Sequence, residues 1–158
     1  MSAHLSTYFI YNTPAGHVTI AASATAITRI VLGKQSLAGT LKATDITNRA
    51  ANQIQEYLAG KRFAFDLPLD LVGTPFQKHV WEALKTVPYG QTRTCSDIAA
   101  AIGKPNSCQA VGAAVNKNPI AIIVASHRIV GAAGNPVGAA GELKTKEFLL
   151  GLERNGNL

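Results

Sequence analysis

An apolar run, Ile120-Ala121-Ile122-Ile123-Val124, leads straight into Ala125-Ser126-His127-Arg128, so a hydroxyl nucleophile stands next to an imidazole. A hydroxyl attacks only when an aligned base takes its proton and a strong electrophile receives it, so group transfer is the chemistry such a pair would serve. Adjacent side chains diverge, and a Ser-His dipeptide is equally at home in a loop that bonds its own backbone. The apolar run reads as a buried, strand-like segment that carries both residues to the edge of a core, where a reactive group is held rigidly. Other reactive side chains are few. Cys95 and Cys108 form no CxxC pair, and His4, His17, His79 and His127 include no i, i+4 ligand pair. No metal and no other cofactor is therefore expected, and both thiols read as free in a reducing compartment.

The elements that must position Ser126 lie on either side of it. Thr74-Pro75 starts a helix, with a capping hydroxyl followed by proline at the first helical position. Phe76, Val80, Ala83, Leu84 and Val87 share one face of it beside Trp81, and Pro88-Tyr89-Gly90 ends it. Thr94 and Asp97 have capping-box spacing and open a short helix, Cys95–Ile102. Gly103-Lys104-Pro105-Asn106 is a tight turn, after which Asn106 or Ser107 caps a helix over Cys108–Asn116. Two short helices joined by a Gly-containing turn predict a helix-turn-helix, although an ordinary corner between two helices has the same pattern. Asn118-Pro119 follows as a turn. Beyond Ser126, the stretches Gly131–Pro136 and Gly138–Gly141 read as loops, and Glu142–Arg154 as a last helix with Leu143, Leu149, Leu150 and Leu152 turned inward.

The first half carries no candidate chemistry. Thr7–Asn12 and His17–Ser23 read as strands joined by the turn Thr13-Pro14-Ala15-Gly16, with Ala26–Leu32 as a third. Asp45 is placed to cap a helix whose Ile46, Ala50, Ile54, Tyr57 and Leu58 repeat every 3.6 residues, and Gly60 ends it. Phe63–Asp70, with Pro68 inside it, reads as an edge strand or a linker. Hydrophobic residues make up 47% of the 158 and charged ones 15%, which favours packed domains over a disordered chain. Met1–Thr13 lacks a basic start before an apolar run, and no apolar stretch approaches the ~20 residues of a membrane helix. An intracellular, cytoplasmic protein with no membrane partner is expected. The formal net charge is +6; residues 1–72 hold six Lys/Arg against four Asp/Glu, and residues 73–158 nine against five. A basic second half suits a polyanion partner.

The ordered motifs Gly73-Thr74-Pro75-Phe76-Gln77, Val80-Trp81, Val87-Pro88-Tyr89-Gly90, Ile98-Ala99, Ile102-Gly103-Lys104-Pro105, Ala110-Val111-Gly112, Asn118-Pro119, His127-Arg128-Ile129-Val130-Gly131 and Lys146-Glu147-Phe148-Leu149-Leu150 closely resemble the DNA-binding domain of O6-alkylguanine-DNA alkyltransferases. Thr13-Pro14-Ala15-Gly16 looks more loosely like that family's N-terminal domain. The resemblance implies a small ribonuclease-H-like α/β domain over residues 1–70 and a mainly helical, winged helix-turn-helix domain over residues 71–158. It implies a monomer, nucleoid-associated if bacterial, that enters duplex DNA from the minor groove, turns a damaged guanine out of the stack and takes its O6-alkyl group onto a cysteine. The family's water-mediated base carries over to His127, its orienting glutamate to Glu153 and its hinge asparagine to Asn118. Cys95, Ser107, Gln109, Ala110 and Arg128 fall on the DNA-binding surface.

The acceptor is where the chain departs from that pattern. The family's Pro-Cys-His-Arg reads Ala125-Ser126-His127-Arg128 here, the arginine finger falls at Gln109, the nucleotide-rotating tyrosine at Cys95, and the ring that stacks on guanine at Ala139. Three functions follow as alternatives. One is a DNA-binding, alkylguanine-flipping homologue without transfer, partly like the alkyltransferase-like proteins that flag lesions for excision-repair partners. Another is a methyltransferase, weakly active through Ser126 or inactivated by a Cys-to-Ser change. The last is a structural or protein-binding remnant, since a scaffold does not guarantee function.

Overall fold

Runs rich in Val, Ile, Thr and aromatic residues become strands at the start of the chain. The computed structural model describes residues 6–131, 134 and 140–156, with 140–143, 155 and 156 as backbone only. Its first unit comprises the described residues up to Val72 together with Pro119–Ala121. β1 (Thr7–Thr13) and β2 (Gly16–Ala22) form a hairpin in which Thr13 pairs with Gly16. The Thr13 hydroxyl accepts from Ala15 N–H and donates to the Gly16 carbonyl, and Gly16 takes a φ of 97°, which a side chain would resist. β3 (Ile27–Leu32) pairs antiparallel with β2, and β4 (Thr40–Leu41) pairs parallel with β1, giving the order β3-β2-β1-β4. β4 is too short to carry a period-2 signal, so sequence reading passes over it.

β2 is buried at every position from Val18 to Ala22 because it is central, with α1 (Asp45–Leu58) packed on the sheet. Its one polar inward residue, Thr19, donates to the Gly33 carbonyl and accepts from Gln35 N–H, which satisfies its buried hydroxyl. The cap of α1 is Thr44, not Asp45. Thr44 Oγ1 receives Thr47 N–H, and Thr47 returns the bond to Thr44 N–H. A Thr-x-x-Thr box lacks the usual Glu or Gln, and Asp45 instead lies in the first turn, where the helix dipole favours its charge. Phe63–Asp70 forms no continuous strand; Leu69 makes a single bridge to Ile27 on the outer edge of β3, and Ile120 makes another to Ile30.

The second unit, Gly73–Asn118 with the described residues from Ile122 onward, is helical. α2 (Pro75–Lys85) begins at a Thr74 cap closed by Gln77, and buries Val80, Trp81 and Leu84. The Trp81 indole donates to the Ala114 carbonyl at 2.9 Å, tying α2 to α4 (Cys108–Asn116). α3 (Cys95–Ala101) starts with the expected Thr94–Asp97 box. It stops in a reciprocal pair of bonds, Gly103 N–H to Ala100 and Lys104 N–H to Ala99, around Gly103 at φ 76°. α3 and α4 pack on each other and on α2, which makes the helix-turn-helix real rather than a loose corner. A two-residue strand ahead of α3, β5 (Arg93–Thr94), pairs parallel with β6 (Ile129–Val130), and α5 (Ala140–Gly156) closes the unit. Among the described residues, no helix is long and apolar enough to cross a membrane.

One element differs sharply from expectation. Residues 120–124 are not a strand. Ile120 makes its one bridge, and the chain then turns through Ile122 at φ 71°, a left-handed conformation that a β-branched residue adopts only under constraint. The apolar character is still accounted for, because Ile120, Ile122, Val124 and Ala125 are all buried. Periodicity cannot separate a buried turn from a buried strand when the run has only five residues.

Candidate active site

Because Ile122 reverses the chain, residues Ser126–Arg128 emerge as a single 3-10 turn packed on α5. Asn118 holds that reversal in place. Its side-chain amide donates to the Val124 carbonyl at 2.6 Å, across the left-handed residue. Asn118→Ala should leave that part-buried carbonyl with the Ser126 N–H as its remaining donor and loosen the turn, lowering stability by about 1 kcal/mol in denaturant unfolding. A loss below about 0.5 kcal/mol would reduce Asn118 to an ordinary turn former.

Glu153, near the end of α5, is the hub. It is 1% exposed and gathers four donors. Arg128 Nε lies 2.9 Å from Oε1 and 3.2 Å from Oε2, and Arg128 Nη2 lies 2.9 Å from Oε2. Gly90 N–H donates to Oε1 at 3.1 Å, and His127 Nε2 lies 2.7 Å from Oε2. Arg128 Nη1 donates to the Val87 carbonyl at 2.7 Å, while its guanidinium carbon sits 5.7 Å from the Tyr89 ring centroid. The turn Pro88-Tyr89-Gly90 thus ends α2 and also supplies two contacts to the site, with Val87 just before it supplying a third.

A carboxylate accepts and cannot donate, so the Nε2 of a neutral His127 must carry the proton and Nδ1 the lone pair. Burial lowers the pKa of His127 below its ordinary value, the hydrogen bond and charge of Glu153 oppose that fall, and Arg128 and Lys146 add to it. The ring is therefore neutral at physiological pH and able to accept a proton at Nδ1. The same depression fixes a stability profile. Above the unfolded value near 6.5 the ring is neutral in both states; below it the unfolded chain binds the proton first, so folding stability falls with acid. The unfolding free energy should drop from pH 7 toward pH 5 with a limiting slope of about 1.4 kcal/mol per pH unit, read by denaturant unfolding, and His127→Gln should flatten that part of the curve. An unchanged slope in the variant would assign the acid sensitivity elsewhere.

The sequence-derived site residues thus divide. His127 and Glu153 come together, half-buried Ser126 precedes His127 in the same 3-10 turn, and Asn118 supports the chain reversal that leads into that turn. A glutamate near the end of a terminal helix is ordinarily a solvated charge; Glu153 is buried instead. Arg128, expected on the DNA-binding surface, is instead inside: its donors are engaged by Glu153 and Val87, so it holds the site together rather than reaching outward. Gln109 and Ala110 are exposed on α4, and Cys95 is half-buried at the start of α3. Ser107 occupies the cap position of α4, but its hydroxyl turns back to the Lys104 carbonyl at 2.7 Å. Ala139 lies outside the described residues, and so does the side chain of Leu143. Sequence reading missed Lys146, a buried lysine of α5 whose charge reaches both His127 and Cys95. Its signals were its place in the motif Lys146-Glu147-Phe148-Leu149-Leu150 and a cation at an inward helical position ahead of Leu149–Leu150.

Comparison with known proteins gives one consistent answer. The model of the 6-O-methylguanine DNA methyltransferase ribonuclease-like domain matches residues 7–71, and that of the same family's DNA binding domain matches residues 75–155. A methylated-DNA–protein-cysteine methyltransferase of Methanosarcina barkeri is 43% identical over 94% of this chain and 97% of its own length. The constitutive enzyme of that name from Bacillus subtilis is 42% identical over 93% and 94%. Mycobacterium tuberculosis OGT, crystallised in complex with DNA, superimposes with a TM-score of 0.89 at 40% identity, covering 95% of this chain and 94% of that one.

Proposed function

Because the chain belongs to the 6-O-methylguanine DNA methyltransferase family, we propose that it is a DNA-repair protein that binds duplex DNA and holds an alkylated guanine out of the stack without taking over the alkyl group. The observation that carries this reading is a complete, buried His127–Glu153–Arg128 network next to an oxygen at the acceptor position. With Arg128 and Lys146 against the single carboxylate Glu153, the local field favours an anion beside His127. A thiol, with an ordinary pKa of about 8.5, would ionise under that field and that base. A serine hydroxyl is far less acidic, and an sp³ alkyl carbon offers no oxyanion intermediate whose stabilisation could compensate. The machinery is present and the sink is not.

The DNA-facing role rests on α4. Its exposed side chains are Cys108, Gln109, Ala110, Ala113 and Asn116, small or neutral, and the helix contains no carboxylate; exposed Lys104 and Lys117 flank it. Such a face can approach the minor groove closely while the lysines meet phosphates, and Gln109 can enter the stack and bond to the base left behind. Without an arginine finger, that insertion lacks charge. The held lesion would then be passed to excision-repair partners.

The test is binding of the chain to duplexes with and without O6-methylguanine over a range of salt. Affinity should fall linearly on a log-log salt plot, in proportion to the phosphates neutralised, and the methylated duplex should bind several-fold more tightly. Equal affinities would remove lesion sensing, and no shift of any duplex at low salt would favour a structural remnant. The intact base network also supports a second reading, a methyltransferase with residual activity through Ser126 or one inactivated at that position alone. A methyl adduct on Ser126 in intact-mass spectra would select it.

A further inference from the structure

We propose that Cys95 and Cys108 are a reversible modification site, a dithiol that oxidants of the peroxide class convert to an intrachain disulfide bracing the two helices of the helix-turn-helix. Each cysteine is the first residue of its helix, Cys95 of α3 and Cys108 of α4, and the two helices pack on each other. Both are free thiols. Ser96 Oγ lies 3.7 Å from the Cys108 sulfur and donates toward it. On the other side, the missing side chain of Gly112 gives Cys95 room, since even a Cβ built there would stand 3.7 Å from its sulfur. Ser96, next to Cys95, thus touches Cys108, and Gly112, one helical turn on from Cys108, faces the Cys95 sulfur; the two thiols are neighbours across the α3–α4 contact, and bond formation draws the sulfurs to about 2 Å.

Their exposures assign an order of events. Cys108 is exposed and meets solvent, whereas Cys95 is half-buried behind it. The Cys108 thiolate attacks a peroxide oxygen, the O–O bond breaks and the sulfenic acid forms with loss of hydroxide. The Cys95 sulfur then displaces the sulfenic oxygen as water, forming the S–S bond. Two thiols have lost two electrons and two protons to one hydrogen peroxide, which becomes two waters. Burial and the neighbouring Cys108 hold the Cys95 thiol up, while Lys146 opposes this. The Cys95 thiol is thus harder to ionise than a free one, in keeping with the second step.

That the bond alters DNA binding rests on the reading above, in which α4 meets DNA; that the bond forms does not. The test treats the whole chain with hydrogen peroxide, then with reductant, and follows intact mass and thiol count under non-reducing conditions, with Cys95→Ser and Cys108→Ser beside it. The chain should lose two hydrogens and both thiols without dimerising, and should melt about 5 °C or more higher when oxidised. Neither serine variant should form an intrachain bond. Duplex affinity should fall at least tenfold on oxidation and return with reductant, and the Cys95→Ser/Cys108→Ser double variant, whatever its own affinity, should not respond. Persistence of both thiols, or oxidation only to dimers or sulfinic acid, overturns the proposal. A disulfide that leaves affinity unchanged overturns its regulatory half. A reduced chain that binds no duplex, while still forming the bond, indicts the DNA-binding reading instead.

Discussion

Ser126→Cys should turn this chain into one that takes one methyl group per molecule from a duplex containing O6-methylguanine, where the parent takes none on the same timescale. Nothing else in the catalytic network has to change. Glu153 already fixes His127 with Nε2 as donor, leaving Nδ1 to take the thiol proton directly or through one water. The sulfur then attacks the methyl carbon as the carbon–oxygen bond breaks, and guanine leaves. A positioned base contributes typically 10²–10⁴-fold, and the replacement of a hydroxyl by an ionisable thiol adds to it. The gain should therefore be at least about 10³ in single-turnover rate, read by intact mass. Position 126 is half-buried on a turn held by Asn118 and the Arg128–Glu153 pair, so the larger sulfur should cost under about 1 kcal/mol. Cys95 and Cys108 must stay unmodified, which peptide mapping shows. A Ser126→Cys chain that binds the lesion duplex yet acquires no methyl would mean that the altered positions Gln109 and Cys95 had already cost it productive base capture.

What the sequence could disclose depended on how local the signal was. Thr74-Pro75 and Thr94–Asp97 each state a helix start within four residues, and both starts hold. The hairpin around Pro14-Ala15 is equally local, and it holds too. Thr40–Leu41 and the β5–β6 pair are set by strands far away in sequence, and two residues cannot show a period. The reversal at Ile122 was illegible because it breaks a rule: a β-branched residue in left-handed conformation is imposed by its surroundings, among them the Asn118–Val124 bond. The site divides in the same way. His127 is adjacent to Ser126 and easily nominated. Glu153 lies 26 residues further on, and its burial exists only once α5 packs against the 3-10 turn. Arg128, which the resemblance assigns to the DNA-binding surface, could equally be a structural ion-pair partner, and sequence cannot decide because the group that claims it comes from another helix. Lys146 stands in a family-like motif, but nothing local says that its charge is buried.

That distant carboxylate supports the other large effect. Glu153→Gln should destabilise the protein by about 3–5 kcal/mol, a large share of the roughly 5–15 kcal/mol that holds a typical domain together. The amide keeps the shape but removes the charge, leaving the Arg128 guanidinium buried against a neutral partner. The amide's own N–H groups would also face Arg128 Nη2 or His127 Nε2, where the carboxylate offered only acceptors. His127 responds as well. The Glu153 charge is what opposes the burial-driven fall of its pKa, so without it the ring becomes still harder to protonate, and the acid-side loss of stability extends to lower pH. A surface ion pair behaves differently, being worth about 0–1 kcal/mol and screened by salt. A loss under about 1 kcal/mol that vanished at high salt would therefore contradict the geometry. Arg128→Met in the Glu153→Gln background separates charge from packing. If the penalty is an orphaned buried cation, removing that cation should return part of the stability, giving a coupling of about 1–3 kcal/mol in the double-mutant cycle. If the two losses merely add, Glu153 is instead packing α5 onto the turn, and His127 would owe its orientation to burial rather than to the carboxylate.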